Sequence, residues 1–237
     1  MSRLLSLALL PAAVLLVYVY RMDTIEKEPL KLLAKLFFFG ALCAIPASIL
    51  EALGSRLIAS YQGTWVYSAL EAFLVVAISE EGCKFAFLCT TWRNPAFDYR
   101  FDAIVYAVSV SLGFAALENI MYVFNYGFGA GIFRAITSVP GHCFFGVFMG
   151  YWFGSAKYTR FYGFAGFKTQ IALSLLVPAL LHGFYDFCCF MSDRLLFVLI
   201  FYAFLVGFFY FSIRCVRKAS ACDVPVTWKN PIYPDQL

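Results

Sequence analysis

Seven apolar segments, each close to the length needed to cross a lipid bilayer, follow one another along this chain of 237 residues. Hydrophobic residues make up 62% of the sequence and charged residues 14%, so a water-soluble domain of this length could not bury its apolar surface. The sequence therefore predicts an all-α, polytopic transmembrane bundle of about seven spanning helices, with residues 1–237 forming one membrane-embedded domain. The predicted spans lie at about residues 4–20, 31–53, 65–92, 102–126, 131–154, 168–191 and 195–213.

Lysine and arginine residues set the predicted orientation of these spans. Thirteen of them flank the spans on one side and four on the other, and positive residues accumulate on the cytoplasmic side of membrane proteins. We therefore expect the amino terminus outside and the carboxyl terminus in the cytoplasm, where residues 214–237 form a short basic tail. Arg3 precedes the first apolar segment as in a signal peptide, but no small-residue cleavage site follows, so an uncleaved first helix is expected.

Two adjacent carboxylates occupy the middle of the third predicted span. Glu80 and Glu81 lie between Trp65 and Trp92, which have the spacing of interfacial tryptophans. Each carboxylate at that depth costs about 2.5–3.5 kcal/mol on insertion scales. Lys84 follows at i+4 and i+3, and so can pair with either glutamate on one helix face. Because one cation cannot neutralise both carboxylates, the pair predicts a functional site.

Five further polar side chains fall inside predicted spans at a similar depth. Two of them are the only histidines in the chain, and we expect one, His142, near the centre of its helix. His182 and Asp186 lie one turn apart on one helix face. With Glu80 and Glu81, four helices should bring these groups together in a pocket displaced toward the outer side. The five are Glu118, Asn119, His142, His182 and Asp186.

The other acidic residues near the spans are interpreted as structural. Glu51 and Glu71 fall near the outer ends of their helices, where water is close, and Asp102 and Asp193 stand at helix ends. A proline precedes each histidine, at positions 140 and 178, and a proline inside a helix bends its axis. In a membrane such a bend is tolerated beside protein or a water-filled space, which favours a cavity over a solid bundle.

The residues of this pocket are suited to the activation of water. Glu80 or Glu81 can act as a general base that deprotonates a water molecule attacking a peptide carbonyl. A histidine held by Asp186 or Glu118 can stabilise the oxyanion or protonate the leaving amine. The predicted catalytic residues are thus the two glutamates and the two histidines. Lys84, Glu118, Asn119 and Asp186 are predicted to support them.

A metal site is the competing arrangement. Glu118, His142 and His182 form a plausible zinc-ligand set, with Glu80 or Glu81 as base. No His-Glu-x-x-His motif, no serine in a Gly-x-Ser-Gly context and no second mid-span aspartate is present, so other intramembrane protease chemistries fit poorly.

Four motifs in order resemble those of the PrsW family of intramembrane proteases, over residues 79–186. The resemblance implies cleavage, on the extracytoplasmic side, of a single-span membrane protein such as an anti-sigma factor. It also implies a multi-pass protein of the bacterial cell membrane, with a catalytic core at about residues 65–191 and no nucleic-acid partner. The motifs are Glu80-Glu81-Gly-Cys-Lys84, Phe114-Ala-Ala-Leu-Glu118-Asn119, His142-x-x-x-Gly146 and His182-x-x-x-Asp186.

The resemblance leaves two mechanisms open. The family is classed with metallopeptidases, whereas its distant similarity to CAAX-prenyl and bacteriocin-processing proteases implies a glutamate mechanism without a cofactor, which we favour. In that wider group the second motif carries a histidine, where this chain has Glu118. A proton- or ion-coupled transporter, or a membrane scaffold without activity, is the alternative function, although the chain lacks the inverted repeat common in transporters.

Overall fold

A computed structural model of the chain describes residues 2–227, and these fold almost entirely into helices. Within this range the only strand-like feature is a single bridge between Tyr99 and Pro225. Segment Glu71–Val76 is a π-helix that joins α3 to α4. The eight α-helices are α1 (Ser2–Met22), α2 (Leu30–Leu57), α3 (Trp65–Leu70), α4 (Ala77–Cys89), α5 (Asp102–Ile136), α6 (Ser138–Phe161), α7 (Phe167–Phe190) and α8 (Leu195–Ala221).

The all-helical, membrane-spanning class predicted from the sequence is confirmed. Five helical stretches are long and apolar enough to cross a bilayer: α1, α2, α7, α8 and the stretch Asp102–Phe161. That last stretch contains both α5 and α6, which are separated only by Thr137. Helix α8 continues beyond the predicted end at residue 213, and residues 228–237 of the predicted tail lie outside the described residues.

The third predicted span, residues 65–92, is not one continuous α-helix. It begins at a true cap, since the Tyr67 N–H donates to the hydroxyl of Thr64 at 3.1 Å. It then passes from α3 through the π-helical segment into α4. A π-helical turn inserts a residue into the helical repeat, which changes the direction in which the following side chains point, and such turns are frequent at functional sites. Here the π-helix immediately precedes the helix that carries Glu80 and Glu81.

The prediction that His142 lies at the centre of its helix is wrong, because α6 begins later than the apolar pattern indicates. Residues up to Ile136 belong to the continuation of α5, and α6 starts at Ser138. Pro140 therefore lies in the first turn of α6, where its missing N–H leaves no hydrogen bond unmade, and it starts the helix rather than bending it. His142 follows in the second turn. Pro178, by contrast, lies inside α7 as predicted.

Helix α5 is the centre of the bundle. Every residue from Asp102 to Ala116 is buried, and α1, α2 and α6 pack around it. Two glycines let α2 approach it closely: a Cβ on Gly40 would lie 2.0 Å from the Val110 carbonyl oxygen, and a Cβ on Gly113 would lie 1.9 Å from that of Phe37. Small residues at such crossings allow two membrane helices to pack backbone to backbone.

We expect Gly113→Ala to separate α2 from α5, because the added methyl group would overlap a backbone oxygen that cannot move aside. Overpacking of this kind costs about 1–3 kcal/mol. Thermal unfolding of the purified protein in micelles should show the loss. Gly207→Ala is the control, since nothing lies within 4 Å of its Cβ position. Equal melting temperatures for the two variants would contradict the packing described above.

Candidate active site

The Glu-Glu motif is bound by the lysine on its own helix. Nζ of Lys84 lies 3.0 Å from Oε2 of Glu80 and 2.8 Å from Oε1 of Glu81. Lys84 and Glu81 have no exposed surface, and Glu80 is 5% exposed. Both pairings predicted from the i+3 and i+4 spacing are therefore made at once. Oε2 of Glu81 is shielded from solvent and accepts no hydrogen bond.

Helix α7 adds a histidine between the carboxylates. Nδ1 of His182 lies 2.9 Å from Oε1 of Glu81, while its Nε2 lies 3.3 Å from Oδ2 of Asp186 and 3.9 Å from Oε2 of Glu80. Asp186 is one turn below on the same helix, as the i+4 spacing predicts. A neutral imidazole has one N–H, yet both ring nitrogens face carboxylate oxygens. One further proton therefore resides on His182 or on a carboxylate beside it.

Helix α6 contributes the second histidine in a different role. Nδ1 of His142 lies 3.1 Å from Nζ of Lys84, and its Nε2 lies 2.9 Å from Oε2 of Glu118. Because an ammonium group only donates, Nδ1 of His142 accepts, and the ring proton is on Nε2, where it is donated to Glu118. The histidine thus connects the Lys84 group to helix α5. The rings of the two histidines are 5.2 Å apart and nearly perpendicular.

Arg134, which was not among the predicted site residues, also belongs to this site. Its Nη2 lies 2.7 Å from Oε2 of Glu118, and its guanidinium group lies 3.9 Å from the ring centre of Tyr122. Gly127 makes this possible: its φ of 82° breaks α5, and residues 128–136 return so that Arg134 meets Glu118. The sequence signals for such a return are a glycine just after the predicted span 102–126 and a basic residue near the start of the next predicted span, 131–154.

Asn119 supports the Glu118 end of the site without facing the pocket. Its side-chain amide donates to the carbonyl of Ala8 on α1 at 3.1 Å, and its oxygen accepts from Nε of Arg134 at 3.3 Å. It therefore connects the first helix to the returning segment.

The clustered side chains surround a cavity of about 210 Å³. At about 30 Å³ per water molecule in the liquid, this is room for several waters in polar surroundings. Glu81 and Lys84 lie behind its wall. Glu51, predicted as structural, is also among the lining residues. The ionisable residues that line the cavity are Glu51, Glu80, Glu118, Arg134, His142, His182 and Asp186.

Comparisons with known proteins identify the family of this chain. A family model described as PrsW family intramembrane metalloprotease matches residues 28–213. A protein of Oceanobacillus iheyensis named Protease PrsW is 38% identical over 189 residues, covering 79% of this chain and 83% of the relative. Its namesake from Bacillus subtilis is 32% identical over 228 residues, covering 94% and 99% of the two chains. No solved structure matches the chain.

A bundle of apolar helices that encloses carboxylates and histidines around a polar cavity, with relatives of this kind, defines a class: the intramembrane peptidases. Within that class the chain belongs to the PrsW family of bacterial membrane proteases.

The family's description as metalloproteases can be tested against the residues present. Donor atoms of Glu80, Glu81, His142 and His182 lie within 4.8 Å of one another. However, Nζ of Lys84 lies 2.8–3.1 Å from the facing atoms of three of them. A metal ion where those donors converge would meet the ammonium charge at contact distance, so this arrangement does not fit a metal. Glu118, a ligand in the predicted zinc set, instead contacts the far nitrogen of His142.

We expect Arg134→Gln to destabilise the fold by about 3 kcal/mol, because it leaves the Glu118 carboxylate mostly buried without its cation. Adding Glu118→Gln should recover part of that loss, with a coupling energy of about 1–3 kcal/mol in a double-mutant cycle of thermal unfolding. Arg194→Gln is the control, since its pair with Asp193 is exposed and should contribute little. Strictly additive losses at Arg134 and Glu118 would show that the pair does not interact.

Proposed function

We propose that this protein is an intramembrane endopeptidase that cleaves a single-span membrane protein, such as an anti-sigma factor, in the bacterial plasma membrane by a glutamate mechanism. The proposal includes seven spans, counting the interrupted segment Trp65–Cys89 as the third and α5 and α6 as separate crossings. The amino terminus lies outside and the carboxyl terminus in the cytoplasm, as the distribution of lysine and arginine favours.

One observation carries the glutamate mechanism: the two glutamates have different surroundings. Glu80 faces the cavity, whereas Glu81 is enclosed and bonded to both Lys84 and His182. A general base must reach the proton that it removes, so Glu80 is the base, and Glu81 is a positioning residue that orients the lysine and the histidine. If both glutamates had the same surroundings, the structure would give no reason to assign them different roles.

The chemistry then follows from which atoms face the cavity. Glu80 takes a proton from a water molecule as the oxygen of that water attacks the carbonyl carbon of the scissile peptide. His182, which lies among Glu81, Asp186 and Glu80, supplies the proton that the leaving amine requires as the C–N bond breaks. Arg134 also borders the cavity, and its positive charge favours the negative charge that develops on the carbonyl oxygen. His142 keeps Lys84 and Glu118 in place.

The position of Lys84 supports a mechanism without a metal. Its ammonium group already contacts the carboxylate oxygens and the imidazole nitrogen that a metal ion would need as ligands. The proposed proton transfers need only the side chains and water. The charge inventory agrees with a site that handles protons: Glu80, Glu81, Glu118 and Asp186 face only two permanent cations. In apolar surroundings the excess negative charge is neutralised by protons.

The position of the cavity along the helices supports cleavage near the outer side of the membrane. Glu118 lies 16 residues from the start of α5, about 24 Å along the axis, while the predicted cytoplasmic end of that helix is at Asp102. The returning segment that carries Arg134 covers the same end.

We expect Glu80→Gln to abolish cleavage while leaving helical content and thermal unfolding nearly unchanged, because an amide cannot accept the proton. Glu81→Gln should also abolish cleavage but lower stability, since Lys84 and His182 lose a shared partner. The measurement is cleavage of candidate single-span substrates in liposomes, beside circular dichroism of each variant. Full activity of Glu80→Gln would show that Glu80 is not the general base.

The same preparations separate the two mechanisms. We expect chelators to leave activity intact and elemental analysis to find no stoichiometric zinc. His142→Ala and His182→Ala should lower turnover without changing metal content. The metallopeptidase mechanism would be established instead if each chain held one zinc ion, if chelation removed both the zinc and the activity, and if added zinc restored the activity.

The cleavage position tests the orientation separately. With the cavity toward the outer side, product termini should map to the outer juxtamembrane part of the substrate. Mass spectrometry of both fragments gives the position. A cut on the cytoplasmic side would show that the chain is inserted the other way or that the substrate enters from the opposite face.

A further inference from the structure

A second cluster of buried carboxylates lies at the end of the bundle remote from the active site. Asp23 and Glu28 come from the connection between α1 and α2, and Asp102 is the first residue of α5, about 24 Å along that helix from Glu118. The three are only 1%, 3% and 1% exposed. One carboxylate oxygen of each lies within 4.8 Å of those of the other two.

The protein supplies this cluster with hydrogen bonds but not with a paired cation. The N–H groups of Asp98 and Tyr99 donate to Oδ2 of Asp102 at 3.0 and 2.7 Å. The hydroxyl of Tyr106 donates to Oε2 of Glu28 at 2.6 Å. Among the residues that the structure describes, no lysine, arginine or histidine nitrogen lies within 4.0 Å of the carboxylates of Asp23, Glu28 or Asp102.

Two nearby lysines bind backbone carbonyl groups and not the carboxylates of the cluster. Lys27 is exposed, and its Nζ donates to the backbone carbonyls of Tyr20 and Arg21, at 2.9 and 3.3 Å, and to that of Asp23. Nζ of Lys157 donates to the carbonyl of Phe97 at 2.5 Å. Asp98 and Asp223 add further negative charge nearby.

One oxygen of the cluster has no partner at all. Asp23 is 1% exposed, and its Oδ2 is shielded from solvent. That oxygen accepts no hydrogen bond from the residues that the structure describes. Buried carboxylate oxygens are almost always bonded, and an exception points to a bound ion or water. Three buried carboxylates without a paired cation, one of them with an unbonded oxygen, therefore indicate a site for a positive ion.

We propose that Asp23, Glu28 and Asp102 bind a hard divalent cation, Ca²⁺ or Mg²⁺, which fastens the α1–α2 connection to the start of α5. The donors are all carboxylate oxygens, the ligands that Ca²⁺ and Mg²⁺ prefer, whereas zinc favours nitrogen and sulfur ligands. Their spacing is suitable, because two oxygens on opposite sides of a Ca²⁺ ion, each bound at about 2.3–2.6 Å, are up to about 5 Å apart. The site is separate from the active-site cluster and does not depend on the proposed function.

The experiment uses the full chain, purified in micelles and stripped with chelator. Ca²⁺ and Mg²⁺ are titrated by calorimetry at pH 7.5 into the wild type, Asp23→Asn, Glu28→Gln and the control Glu26→Gln, whose side chain is exposed and close in sequence. We expect one saturable site in the wild type and the control, lost or weakened at least tenfold in the other two. All four proteins share the active-site cluster, so the difference between them belongs to this site.

Thermal unfolding with and without cation provides the second measurement. Saturating Ca²⁺ or Mg²⁺ should raise the melting temperature of the wild type and of Glu26→Gln, because an ion that binds only the folded chain stabilises it. The melting temperature of Asp23→Asn should not change. The same melting temperature of the wild type with and without cation, or equal binding by the wild type and Asp23→Asn, would overturn the proposal.

A third measurement avoids any change to the carboxylates, in case Asp23→Asn does not fold. Tb³⁺, a hard ion that replaces Ca²⁺, should show luminescence excited through Tyr106, whose hydroxyl contacts Glu28. We expect a several-fold loss of this signal in Tyr106→Phe and its displacement by Ca²⁺. An undiminished signal in Tyr106→Phe would place the ion elsewhere and refute the site.

Discussion

An ammonium group enclosed within a membrane protein fixes the arrangement of the candidate active site. Lys84 has no exposed surface and contacts two glutamates of its own helix and a histidine of α6. Removing both glutamates would leave this buried charge uncompensated, which costs several kcal/mol, about 3–5 for a broken buried pair in measured cases. The packing of α4 against α6 is therefore coupled to the chemistry, and α7 joins through the contact between Glu81 and His182.

Helix α5 transmits this constraint along the length of the bundle. Its residues from Asp102 to Ala116 are fully packed, so neither end can move without disturbing α1, α2 or α6. Its carboxyl-terminal half presents Glu118 to the candidate active site, and its first residue, Asp102, belongs to the proposed cation site. The break at Gly127 lets α5 carry two opposite charges, Glu118 and Arg134, within contact distance.

Residues of the active site that lie on one helix were predictable in their pairing. The spacing of Glu80, Glu81 and Lys84 determines that all three share a face, and the same holds for His182 and Asp186. The contribution of Arg134 was not predictable in this way, since it lies on a different predicted span from Glu118 and no local spacing relates the two. The position of His142 within its helix was predicted wrongly, because hydropathy cannot locate the start of α6 when α5 continues across the same apolar stretch.

The sequence by itself determined the membrane class, the helical architecture and the set of ionisable residues that had to be explained, because burying a charge in lipid is costly wherever the chain places it. The tertiary structure alone decided which partners these groups have on other helices and which of them face the cavity. Glu80 faces the cavity while Glu81 is enclosed, Lys84 lies where donors from three helices converge, and Asp23, Glu28 and Asp102 meet although the first and the last are 79 positions apart. Those outcomes depend on distances between helices remote in sequence, which no local spacing specifies.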